Sequence, residues 1–146
     1  LYAILSGLSR LPIHQGIAVT GSVNQKGEIQ PVGAINEKIE GFYEVCLQKG
    51  LTGKQGVIIP AANQQRLMLN DDVVQAVKNG DFRIWAIQSI DEGIEILTGV
   101  KAGKLLPVTE DGKQSFESGS VYDKVNNRLL QFSDAIHRLR SGKNDS

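Results

Sequence analysis

Charge of one sign, cysteine, histidine and long apolar runs are all scarce in this 146-residue chain, and each scarcity closes off a class of chemistry. Sixteen Lys and Arg balance sixteen Asp and Glu, for a formal net charge of zero. Nucleic-acid binding ordinarily needs a basic face or stripe, so the balance argues against it. The nearest basic group, His137-Arg138-Leu139-Arg140 followed by Lys143, is small and close to the chain end. The single cysteine, Cys46, cannot form an internal disulfide, which leaves an intracellular protein or a free thiol. His14 and His137 stand far apart in sequence, and neither accompanies Cys46. No metal site, bound cofactor or Cys–His nucleophile is therefore expected. No apolar run approaches the roughly 20 residues of a membrane span, and the first residues lack a signal peptide's basic region and cleavage pattern.

What remains is an ordinary globular composition, 40% hydrophobic and 22% charged, in a chain sized for one domain. Leu1, Ile4, Leu5 and Leu8 read as an apolar helix with no cap in front of it, ended by Arg10-Leu11-Pro12. The chain thus reads as part of something longer. From Gly16 the period changes to two. Ile17, Val19 and Val23 share one face, while Ala18, Thr20 and Ser22 share the other, which predicts a core strand over 17–23. A turn at Asn24–Gly27 returns the chain as a hairpin strand over Glu28–Val32, with Pro31 marking an edge strand or the strand's end. A helix follows over Ile35–Lys49, with Gly50 beyond its end and an apolar stripe of Ile35, Ile39, Phe42 and Cys46.

Gly56–Pro60 is a short, continuously apolar run, the pattern of a buried strand. Helical pieces near Asn63–Met68 and Asp71–Lys78 come next, the second capped by Asp71 or Asp72, and then a strand over Phe82–Ile87. Ser89 caps a helix over Ile90–Leu97, with Glu92 at the capping-box position. The polar stretch 100–119 reads as a linker or loop. Val121–Arg140 reads as one amphipathic helix with Val121, Val125, Leu129, Phe132, Ile136 and Leu139 on a face that should pack against protein.

Lys38 is the residue with the most unusual local setting. It lies about one turn into its helix, where the positive end of the macrodipole disfavours a cation, and it borders the apolar stripe through Ile35 and Phe42. Partial burial and the dipole both favour the neutral amine, the form a general base needs. The plain alternative is a lysine lying along the stripe and pairing with Glu37 or Glu40.

The wider order of segments resembles the Lon protease family. Ile17-Ala18-Val19-Thr20-Gly21-Ser22, then Pro31-Val32-Gly33-Ala34-Ile35-Asn36-Glu37-Lys38, then the Gly56–Pro60 strand follow the family's sequence from about Leu1 to Thr98. The stretch Leu51–Asn63 is most similar to bacterial Lon-like proteins of the Lon B or Lon H type. The resemblance puts Lys38 on the catalytic lysine, in a motif of the form P-[IV]-G-G-x-x-E-K, and Thr20 on the threonine that holds that lysine. Ala34 replaces the motif's second glycine, at a turn that ordinarily uses φ > 0. By the family's spacing the nucleophilic serine lies upstream of Leu1. Ser6, Ser9 and Ser22 do not match it and read as structural hydroxyls.

The resemblance implies an α+β fold, similar to ribosomal protein S5 domain 2, with a mixed sheet packed by helices. It implies a proteolytic domain over 1–99 lacking its N-terminal portion, a linker or loop over 100–119, and a C-terminal helix and tail over 120–146. The function implied is a serine endopeptidase with a Ser–Lys dyad, inactive in this piece for want of its nucleophile. The parent is then a cytoplasmic homo-oligomer, a hexameric ring, acting on unfolded or damaged proteins. The resemblance also implies an ATPase module, binding ATP and Mg, on the same longer chain; no P-loop occurs here, so no nucleotide site is expected in this stretch. The alternative is a non-catalytic assembly or substrate-binding module that keeps the Lon fold.

Overall fold

The computed structural model describes residues 1–109, 112 and 114–141, with the side chain of 141 set aside. Lys143 and the tail over 142–146 lie outside the described residues, as do positions 110, 111 and 113 of the expected linker. The chain divides into two compact units, one of His14–Gly93 and one of Leu1–Ile13 with Ile94–Ser146.

In the His14–Gly93 unit the strands β1 (Ile17–Val19), β4 (Gly56–Pro60) and β5 (Arg83–Ile87) form a parallel sheet in the order β1-β4-β5. Ala18 pairs with Val57 and Val57 with Ile84, so β4 is the central strand. A central parallel strand is covered on both faces, which is why its run is apolar throughout: all five residues of β4 are buried. Gly56 is the exception in side chain. A β-carbon there would collide with the Arg83 carbonyl and the Trp85 ring.

The helix α2 (Ile35–Lys49) has the expected bounds; it buries Ile35, Ile39 and Cys46 of the expected stripe, with Tyr43 buried and Phe42 half-buried beside it. Its stripe meets Val57 and Ile59 of β4, Val73 and Ala76 of α3 (Asp71–Asn79), and Phe82. Phe82 is fully buried, with the Tyr43 ring edge-on to it at 5.3 Å and the Phe42 ring at 6.4 Å. Burial of each such large side chain contributes about 1.5–3 kcal/mol. Burial also pushes the Cys46 thiol up from its ordinary range, against the opposing pull of the Lys49 charge, so Cys46 is an inert core thiol.

Three expectations are corrected. The stretch 17–23 is not one strand: β1 ends at Val19, and Ser22–Val23 forms β2, which pairs antiparallel with β3 (Ile29–Gln30) in a separate ribbon. The alternation is genuine, but no described element covers its outer face, and Val19 and Val23 are 43% and 40% exposed. The described strands therefore form a parallel sheet and a separate ribbon in place of one mixed sheet. The ribbon is tied down by Ile29 N–H donating to the Gln88 carbonyl at 3.0 Å. At α3 the N-cap is Asn70, one residue ahead of the expected aspartates, which stand in the first turn.

The other unit holds α1 (Tyr2–Ser9), the greater part of α4 (Ile90–Thr98) and α5 (Val121–Ser141). Half of the expected Ser89–Glu92 capping box forms: Glu92 N–H donates to Ser89 Oγ at 3.4 Å, while Glu92 Oε2 accepts from Gln88 N–H, one residue ahead of the cap, at 3.3 Å. Leu5, Ile94, Ala102 and Val121 make this unit's core, with Tyr2, Leu11, Val100, Tyr122 and Val125 around it. Among the described residues of 100–119 there is local order: Leu105 bridges Phe116, and Tyr122 N–H donates to the Ala102 carbonyl at 3.0 Å. The α5 face departs from expectation beyond Val125. Leu129, Phe132, Ile136 and Leu139 are exposed. No helix among the described residues is long and apolar enough to cross a membrane.

Candidate active site

Lys38 owes its position to a strained turn. Ala34, the N-cap of α2, adopts φ 53° and ψ 41°, the left-handed region that favours glycine. The φ > 0 geometry survives the loss of the second glycine, at a cost of roughly 1–2 kcal/mol for a residue with a β-carbon. No side chain caps the helix, and the Lys38 N–H donates to the Ala34 carbonyl at 3.2 Å. Lys38 thus stands in the opening turns, facing the positive end of the helix dipole. Its side chain is exposed, so the expected partial burial is not met among the described residues. The plain alternative is not met either: no ion pair joins Lys38 to Glu37 or Glu40. Glu40 instead accepts the Asn70 N–H at 2.8 Å.

Thr20 is half-buried at the carboxyl end of β1, and its N–H donates to the Ile58 carbonyl at 3.0 Å. Gly21 beside it packs on the end of β4: a β-carbon there would stand 3.5 Å from both Pro60 Cγ and Ile29 Cγ2. Three residues past Pro60, Asn63 turns back and bonds Val32, six residues ahead of Lys38. The start of α2 and the end of β1 are thereby gathered at the carboxyl end of the parallel sheet, the end where open α/β sheets form their sites. No direct hydrogen bond joins Thr20 to Lys38 among the described residues.

The candidate serines have other employment. Ser6 Oγ donates to the Leu11 carbonyl at 2.6 Å, and Ser9 Oγ accepts the Leu11 N–H at 3.4 Å, so both close the end of α1. Ser22 lies exposed on the ribbon against Gln30. No group of three or more His, Cys, Asp or Glu side chains is placed to hold a metal ion among the described residues. Sequence reading missed Asn63, which is only 3% exposed. Its one signal was a polar residue three positions past a buried strand and its closing proline, and that does not reveal a partner 31 residues away.

These features define a chain of mixed α and β structure with an exposed lysine in the opening turns of α2 and a half-buried threonine at the carboxyl end of β1. The chain belongs to the Lon protease family: residues 1–99 match the Lon protease (S16) C-terminal proteolytic domain. It is 52% identical over 97 residues to the "Putative Lon protease homolog" of Escherichia coli K12, a match covering 66% of this chain and 17% of that protein. A protein of the same name from Haemophilus influenzae is 51% identical over 96 residues, covering 66% and 16%. The archaeal Lon protease of Thermococcus kodakarensis is 34% identical over 94 residues, covering 64% and 13%. The chain therefore spans only about a sixth of the length of the first two relatives.

Proposed function

We propose that this chain is the proteolytic region of a longer serine–lysine endopeptidase that cleaves unfolded or damaged proteins. The observation that carries the reading is Lys38: it stands in the opening turns of α2, exposed and paired with neither neighbouring glutamate, in the motif of a peptidase family. In the proposed reaction a serine upstream of Leu1 attacks the peptide carbonyl while the neutral Lys38 amine takes its proton. The tetrahedral intermediate collapses, Lys38 returns the proton to the leaving amine, and an acyl-serine ester remains. Water then attacks the ester, with Lys38 again the base, to release the acid product and regenerate the serine. Thr20 orients the amine. No histidine or aspartate is required, as in other Ser–Lys enzymes.

The same reading assigns the parent to the cytoplasm as a homo-oligomeric ring of six, with ATP and Mg bound by a separate ATPase module. It assigns the completed domain to the fold of ribosomal protein S5 domain 2. The 146-residue chain alone is expected to be inactive, because the hydroxyls of Ser6 and Ser9 are committed to the end of α1. The test compares it with a chain extended upstream, on an unstructured protein substrate. Activity confined to the extended chain, and lost when its nucleophilic serine becomes alanine, supports the reading. Serine-dependent cleavage by the shorter chain sinks it.

A further inference from the structure

We infer that Asn63 is a positioning residue for Lys38, its side-chain amide clamping the segment from which the lysine helix starts. The inference rests on the proposed role of Lys38 as general base. Asn63 Oδ1 accepts the Val32 N–H at 3.0 Å, and Asn63 Nδ2 donates to the Val32 carbonyl at 2.9 Å. One amide side chain thus reads both polar groups of one residue, as a neighbouring strand would. The clamp is shielded, since Asn63 is 3% exposed, and buried hydrogen bonds of this kind are expensive to leave unmade.

Two features make this contact decisive for the lysine. First, Ala34 is held in the left-handed region with no side chain capping the helix. A strained residue stays in place only when its surroundings over-determine it. Among the described residues, no side chain other than Asn63 bonds the backbone of 31–34. Second, Asn63 is itself anchored. It sits in the 3-10 helix Ala61–Arg66, directly after the fully buried β4. The path from the core to the base is therefore continuous: β4 fixes Asn63, Asn63 fixes Val32, and Val32 leads through Gly33 and Ala34 into the turns that carry Lys38. Asn36 and Glu40 add a second brace on the same helix, accepting the Met68 and Asn70 N–H groups at 2.9 and 2.8 Å.

The test uses the full-length, serine-containing protein with Asn63→Asp and Asn63→Leu, and Lys38→Ala as the reference. Asn63→Asp keeps an acceptor and loses the donor; Asn63→Leu loses both at similar volume. Peptide hydrolysis, its pH profile, thermal unfolding and amide exchange over residues 32–49 are measured together. Both variants are expected to lower kcat by about 10- to 100-fold with KM little changed, as a base displaced by about an ångström does. Exchange should quicken at Val32 and in the opening turns of α2 but not in its second half, and the pH profile should move. The inference is overturned if kcat falls only in proportion to the folded fraction, with the profile and the Val32 amide unmoved. If Asn63→Leu does not fold, Asn63→Asp decides on the same readouts. An active Lys38→Ala enzyme removes the base reading and this inference with it. An inactive Lys38→Ala enzyme beside fully active Asn63 variants removes the inference alone.

Discussion

The helices α2 and α5 have similar amphipathic patterns and opposite surroundings. Along α2 the positions Ile35, Ile39, Tyr43 and Cys46 are all buried against β4, α3 and Phe82. Along α5 Val121 is buried and Val125 half-buried, but Leu129, Phe132, Ile136 and Leu139 are 49%, 42%, 51% and 74% exposed. Length accounts for the difference. The α1 helix that packs on α5 has 8 residues against 21, so about 12 Å of helix meets about 31 Å. Only the first turns of α5 can be covered this way. A periodic stripe says which face of a helix is apolar; the neighbouring element decides how much of it is dry.

The largest expected effect lies in the sheet unit. Ile59→Ala, at a fully buried position of β4, should cost about 2–5 kcal/mol in urea unfolding, because the surroundings can collapse only partly into the space left. A loss below about 1 kcal/mol would mean that α2 and the sheet are not packed as described. The next effect has the opposite sign. Ala34→Gly relieves the left-handed strain and should stabilise the chain by up to about 1 kcal/mol, the relief being partly offset by glycine's greater freedom when unfolded. Destabilisation on that change would show that the φ > 0 turn does not form in solution. The smallest effect belongs to α5. Ile136→Ser should alter stability by less than about 0.5 kcal/mol, as exposed positions do. A cost of several times that figure would show the face covered in solution and would erase the contrast with α2.

The same contrast explains how much could be read from the sequence. The bounds of α2 were legible because its stripe, its first-turn acid and its closing glycine agree, and tertiary packing contradicts none of them. The β4 strand and the Ser89 cap on the Glu92 N–H were legible for the same reason. The break after Val19 was not, since a period of two continues through Thr20 and Gly21 whether or not the next strand stays in the sheet. At the site, Lys38 and Thr20 stood out by type and motif. That Lys38 is exposed, that no hydrogen bond joins it to Thr20, and that Asn63 holds Val32 all depend on how separate segments meet. Local pattern carries no record of that.

The central claim is that Lys38 acts as a base and not merely as a charge, and one substitution separates the two. In the full-length, serine-containing protein, Lys38→Arg preserves the positive charge and most of the side-chain volume, yet the guanidinium stays protonated at any workable pH. Peptide hydrolysis should fall by at least about 100-fold, within the range that a positioned acid–base group contributes, with thermal stability little changed. It should stay low as the pH is raised, while the unsubstituted enzyme gains activity toward alkaline pH. Near-normal turnover in Lys38→Arg, with a pH profile like that of the unsubstituted protein, would contradict the account and leave Lys38 a structural residue.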